Sequence, residues 1–174
     1  PDPRGNGLRG FDGHHHAWFG TFLGELGEGP GTNIFSNIVA TNGISARKGH
    51  SLLTVLVASG EVPLALTVYS WIPEQFKKKN APIESLAIAP VIAQASTIAM
   101  LKRAPNPASA LLFYDFMLSE GQPLLAQASY VPTSKKLTSP LVNQSLKFID
   151  PVRALDMQDK WMKKFDDLIV KRAK

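Results

Sequence analysis

The stretch Val62-Pro63-Leu64-Ala65-Leu66-Thr67-Val68-Tyr69 is almost unbroken in apolar character. A run of this kind over 62–69 predicts a strand buried on both faces, because a half-exposed strand alternates apolar with polar residues. Such a strand needs helices above and below it, and the flanking sequence supplies them. Trp18, Phe19, Phe22, Leu23 and Leu26 recur at helical spacing over 17–26. Gly29-Pro30-Gly31 reads as the break after that helix. A second helix over 32–40 is expected to turn Ile34, Phe35, Ile38 and Val39 inward, and Asn42-Gly43 signals the turn that follows. A third helix over 51–59 carries Leu52, Leu53, Leu56 and Val57, with Gly60 as its stop.

Further strands are predicted over 86–93 and 97–101. Asn106 and Pro107 make a cap and first position for a helix that runs through Leu111, Phe113 and Phe116 to Ser119. A short helix is expected over 124–128 and an extended segment over 130–134, where Val131 precedes Pro132. A last helix over 156–171 would place Trp161, Phe165, Leu168 and Ile169 on one stripe. Strands separated by helices predict an α/β architecture, with too few units for a TIM barrel.

Composition narrows the function. The 174 residues are 44% hydrophobic, enough for a real core, and contain no cysteine, which removes disulfides and thiolate metal sites. The net charge is +5. Yet no basic segment interleaves with aromatics and no helix-turn-helix spacing occurs, so nucleic acid is not an expected partner. The charge instead favours an anionic ligand. No apolar run approaches the ~18–20 residues of a membrane span. The chain starts at Pro1 rather than Met, without the apolar region of a signal peptide, so a processed or truncated start is expected. There is no dinucleotide fingerprint, Walker loop or nucleophile elbow, and no carboxylate pair stands out.

Three places carry polar chemistry. In His14-His15-His16 successive side chains diverge by about 100°, so one metal ion cannot use all three. A solvated helix entrance, an incidental weak metal site and an anion site at Asp12-Gly13-His14 all remain open, the last because free N–H groups at a helix start attract anions. Arg47-Lys48-Gly49-His50-Ser51 also precedes a helix. It reads either as an ordinary cap with exposed basic residues or as a ligand cradle, with Gly49 for close approach and Arg47 for a bidentate grip. Tyr69 either points a phenol into a cleft or sits in the core with its hydroxyl satisfied.

A longer series of segments goes together. Arg47-Lys48-Gly49-His50-Ser51-Leu52-Leu53 is followed by Ala58-Ser59-Gly60-Glu61-Val62-Pro63-Leu64, Lys77-Lys78-Lys79-Asn80-Ala81-Pro82 and Ala104-Pro105-Asn106-Pro107. Phe113-Tyr114-Asp115-Phe116-Met117-Leu118-Ser119-Glu120-Gly121-Gln122 and Tyr130-Val131-Pro132-Thr133-Ser134 complete it. In this order the segments resemble the C-terminal half of an extracellular solute-binding protein of an ABC importer, of the iron(III)-type branch. The resemblance covers about 10–174.

It implies a type II periplasmic-binding fold, with ligand held between two α/β lobes that close by hinge motion. Residues 1–89 would be the C-terminal ligand-binding lobe, and 139–174 its packed helices. Residues 90–138 would be the returning, incomplete part of the N-terminal lobe. The ligand-binding residues so implied are Asp12, Gly13 and His14; Arg47, Lys48, His50 and Ser51; Tyr69 and Ser70; and Gln94 and Ser96. Tyr69 would be the metal-binding residue. Iron-binding members carry adjacent tyrosines where this chain has Tyr69-Ser70-Trp71. A ferric ion and a small anionic or organic solute therefore both stand as the ligand class. The expected protein is non-enzymatic, without a cofactor, periplasmic or extracellular, and a partner of a membrane permease. Rival expectations are an effector-sensing regulator domain of the same fold and an orphan lobe that self-associates into a homo-oligomer.

Overall fold

The computed structural model describes residues 9–12, 15–139, 141 and 143–173. Three short strands, β1 (Arg9–Asp12), β2 (Ile44–Arg47) and β3 (Leu64–Leu66), pair in the order β2-β1-β3. Both pairings are parallel: Arg9 stands opposite Ile44 on one side and Leu64 on the other. Parallel neighbours need crossover helices. Helices α1 (His16–Leu26) and α2 (Glu28–Asn42) connect β1 to β2, and α3 (His50–Ala58) carries the chain from β2 past β1 to β3. Helix α4 (Trp71–Lys77) follows β3. The α/β class expected from the sequence is the one observed.

The core lies where α1 and α2 meet α8 (Gln158–Leu168). Phe19, Leu23, Phe35, Ile44, Trp161, Phe165, Leu168 and Ile169 are buried together there, with Leu66 packed against them. Phe19 meets Phe35 and Phe165 edge to face at centroid distances of 5.1 and 5.4 Å. Such pairs add about 0.5–1.5 kcal/mol each beyond the area they bury. The close approach of α8 to α1 depends on Gly20, because a Cβ there would fall within 2.7 Å of three Trp161 ring atoms. A second set, Leu53, Val62 and Ile72, is buried around α3 and α4. At the surface, Glu28 in the first turn of α2 accepts hydrogen bonds from Lys160 and Lys164, both at 2.7 Å. Those two cations hold its carboxyl down at about 2.

Several expectations need correction. Gly29-Pro30-Gly31 does not break the chain but forms the first turn of α2, and the break falls at Gly27. Proline is tolerated there, since first-turn N–H groups have no helical partner to lose. Ile34 and Leu52, expected inward, are 41% and 48% exposed. The strand over 62–69 shortens to Leu64–Leu66 and is not buried on both faces, Leu64 being 40% exposed. Its extended run ends at Thr67, whose φ is 62°. Of the strand over 86–93 only β4 (Val91–Ala93) forms, and 97–101 contains none. Leu86, Ile88 and Leu101 are at least 71% exposed, so apolar content there lacked a partner to pack against. The final helix is divided: α7 (Pro151–Asp156), then α8, then a 3-10 turn, Val170–Arg172. Local pattern did not announce β1, β2 or β5 (Leu146–Phe148), the last pairing in parallel with β4.

The described residues up to Gln94, together with those from Ser145 onward, form one compact unit, and Ala95–Gln144 forms another. The second contains α5 (Pro107–Leu118) and α6 (Gly121–Gln127). Asn106 occupies the cap of α5 as expected, but its side chain makes no cap hydrogen bond. The organising group is the buried Gln122. Its Nε2 donates to Met117 O at 2.7 Å, and its Oε1 accepts from the backbone N–H groups of Thr133 and Ser134 at 2.9 and 3.2 Å. One amide thus ties the end of α5 to the extended segment around Pro132.

Candidate functional site

Parallel strands direct their carboxyl ends to one edge of the sheet. The loops after β1, β2 and β3 therefore leave from the same side and lead into α1, α3 and α4. The chain runs from β1 outward to β2 and then back past β1 to β3, and in open parallel α/β sheets this carboxyl edge is the usual binding place.

Two backbone devices aim side chains into this edge. Gly49 takes φ 99°, a region open to glycine but costly for other residues, and swings the chain from β2 into α3 with His50 as the first helical residue. Leu53 N and Thr54 Oγ1 then close the first turn by donating to Gly49 O and His50 O. At the end of β3, Thr67 adopts the left-handed region that a β-branched residue rarely enters, which ends the strand two residues before Tyr69. Ile72 N donates to Tyr69 O and fixes the entry into α4.

The result is a cluster of His15, His50 and Tyr69. The Nε2 atoms of the two histidines are 2.9 Å apart, and their rings stand nearly perpendicular, at 83°, with centroids separated by 4.5 Å. The Tyr69 ring packs against His50 at 4.2 Å and His15 at 5.6 Å between centroids. Tyr69 is 40% exposed and both histidines are half-buried, so the cluster is preorganised yet open to solvent. It offers imidazole nitrogens that donate or accept, a phenol, and an aromatic wall.

Of the residues singled out in the sequence, His50 and Tyr69 are thus brought together. Arg47 ends β2, opposite Asp12 at the end of β1, and its Nη1 donates to Ala46 O at 3.3 Å. Lys48 and Ser51 are exposed on either side of Gly49 and His50, and Ser70 is exposed at the start of α4. Gln94 stands exposed after β4 in the first unit, and Ser96 is exposed in the second. Asp12 is placed by its backbone alone, and Gly13 and His14 lie outside the described residues.

His15 is the residue that sequence reasoning passed over. The triplet at 14–16 was the available signal, and it is no plain solvated helix entrance. His15 turns to His50, while His16 meets the core residue Phe165 edge to face at 5.2 Å. The roughly 100° step between successive helical residues accounts for this division. An open groove of about 450 Å³ between α2 and α8, lined by Thr32, Lys160, Lys163, Lys164 and Arg172, shares no residue with the cluster. We take the cluster as the site, because the groove's Lys160 and Lys164 are already bonded to Glu28. Among the described residues, no helix is long and apolar enough to cross a membrane.

A family model described as bacterial extracellular solute-binding protein matches residues 21–131. This span takes in Arg47 through Ser51, Tyr69, Ser70, Gln94 and Ser96, and begins after Asp12 and His15. Neither a curated protein nor a solved structure gives a significant match.

Proposed function

The chain belongs to the bacterial extracellular solute-binding proteins, and on that premise we propose that it captures a small solute at the carboxyl edge of β1, β2 and β3 for an ABC importer. The observation that carries this reading is the convergence of His15, His50 and Tyr69 at the starts of the segments that follow β1, β2 and β3. Arg47, Lys48, Ser51 and Ser70 border the cluster in sequence and supply cationic and hydroxyl contacts. Asp12, with Gly13 and His14 next to it in the sequence, and Gln94 and Ser96 stand as further candidate contacts on the resemblance alone. The first compact unit acts as the ligand-binding lobe, and the second as the returning part of the other lobe.

The protein works by binding rather than by chemistry. Solute meets it in the periplasm or outside the cell, and the loaded form engages a membrane permease. A ligand that prefers the loaded conformation shifts the population toward it. Native mass spectrometry of protein purified without denaturation, followed by titration calorimetry, tests the reading. A co-purifying small ligand, bound severalfold more weakly by Tyr69→Phe, supports it. A protein that binds no small solute or ion, alone or in reconstituted uptake, overturns it.

A further inference from the structure

Resting on the reading of this cluster as the solute site, we infer that its cargo is a divalent transition-metal ion that prefers nitrogen donors, held by the Nε2 atoms of His15 and His50. Two imidazoles bound side by side on one such ion, each at ~2.0–2.1 Å, have their nitrogens roughly 3 Å apart. The two Nε2 atoms already stand 2.9 Å apart. Their rings are nearly perpendicular and their centroids are only 4.5 Å apart, so the imidazoles do not meet end to end. At least one ring is swung off the line that joins the two nitrogens. The spacing therefore suits two ligands of one ion as well as a single shared proton.

Binding balances as follows. One Nε2–H passes its proton to Nδ1 of the same ring, so that both Nε2 lone pairs go to the metal. Tyr69, whose ring packs on both imidazoles, stands beside the pair as a further oxygen donor. The donor set favours a borderline ion over a ferric one. Ferric ion is hard and seeks anionic oxygens, whereas imidazole suits copper, nickel and zinc. Among the described residues, no group of three or more His, Cys, Asp or Glu surrounds the pair. The remaining positions on the metal belong to water or to an anionic co-ligand. The neighbouring cations Arg47 and Lys48 favour such an anion over an additional positive charge.

The test uses the full chain, stripped of metal with a chelator, and cupric and nickel chlorides as probes. Calorimetry should give one equivalent bound. The cupric electron paramagnetic resonance spectrum should show hyperfine splitting from two imidazole nitrogens. His15→Gln and His50→Gln should each weaken binding at least tenfold, Tyr69→Phe severalfold, and His16→Gln less than twofold, with thermal midpoints confirming that each variant folds. The spectrum of the unaltered protein keeps the inference testable if a histidine variant does not fold. Absence of saturable binding overturns the inference, and so does binding unaffected by His50→Gln, which would place the ion on the histidine run alone. Sulfate, phosphate and citrate are titrated in parallel. If one of these binds through Arg47 and Tyr69 while the metals do not, the inference falls and the solute-binding reading stands. If neither metals nor solutes bind, both fall.

Discussion

Helices α8 and α5 are almost equal in length, 11 and 12 residues, but have opposite fates. Helix α8 is mostly polar and concentrates its few apolar residues on one stripe, where Trp161, Phe165 and Leu168 are all buried. Helix α5 is far more apolar, with Leu111, Leu112, Phe113 and Phe116, and buries none of its residues. Leu112 is 72% exposed and Phe113 57%. Apolar content alone does not make a core. A narrow stripe facing matched aromatic partners does, and a helix apolar on several sides has no such preferred face. In the second unit, order comes instead from a polar residue, Gln122.

The comparison can be broken at its strongest point. Phe165→Ala should cost about 3–5 kcal/mol of unfolding free energy by urea titration, because it leaves a cavity among Phe19, Ile169 and their neighbours. Leu112→Ala in α5 should cost less than about 0.5 kcal/mol. Equal losses would refute the contrast.

A middle-sized effect belongs to Gln122. Gln122→Ala leaves the N–H groups of Thr133 and Ser134 without their acceptor and should cost about 1–3 kcal/mol. Amide hydrogen exchange at those two residues should quicken while exchange in α8 stays the same. Uniform quickening through both units would show that the clamp is not local.

The smallest effect is electrostatic. Glu28 has its carboxyl lowered from the ordinary 4.5 to about 2, chiefly by its hydrogen bonds to Lys160 and Lys164. A depressed carboxylate contributes stability that is fully present above about pH 4.5 and lost as pH falls through about 2. The group is exposed, so the gain is small and screened by salt. Thermal midpoints of the unaltered chain and Glu28→Gln should differ slightly at pH 6 and converge near pH 2. A difference that persists at pH 2 would argue against the ion pairs.

Legibility followed the range of the interaction. Helices α1, α3 and α8 were readable because periodic stripes of Phe19 and Leu23, of Leu53, and of Trp161 and Phe165 are written locally. Strands were not. Residues 97–101 have the same apolar character as a strand but find no ladder, whereas Ile44-Ser45-Ala46-Arg47 is unremarkable in composition and forms β2 because β1 lies beside it. Pro30 was misread because its meaning depends on whether it falls in the first turn of a helix or inside one. For the site, the glycine-preceded His50 and the strand-end Tyr69 carried a visible signal, while His14 drew attention that belonged in part to His15.

Local pattern by itself determined the α/β class, the helices with a single apolar stripe and the loop that carries Arg47 to Ser51. These depend on side-chain periodicity and backbone preference within a few residues. Only the tertiary structure decided that His15 and His50, 35 positions apart, meet at 2.9 Å beside Tyr69. That meeting depends on the parallel order β2-β1-β3, which gathers three loops at one edge, and no local pattern specifies which loops will be neighbours.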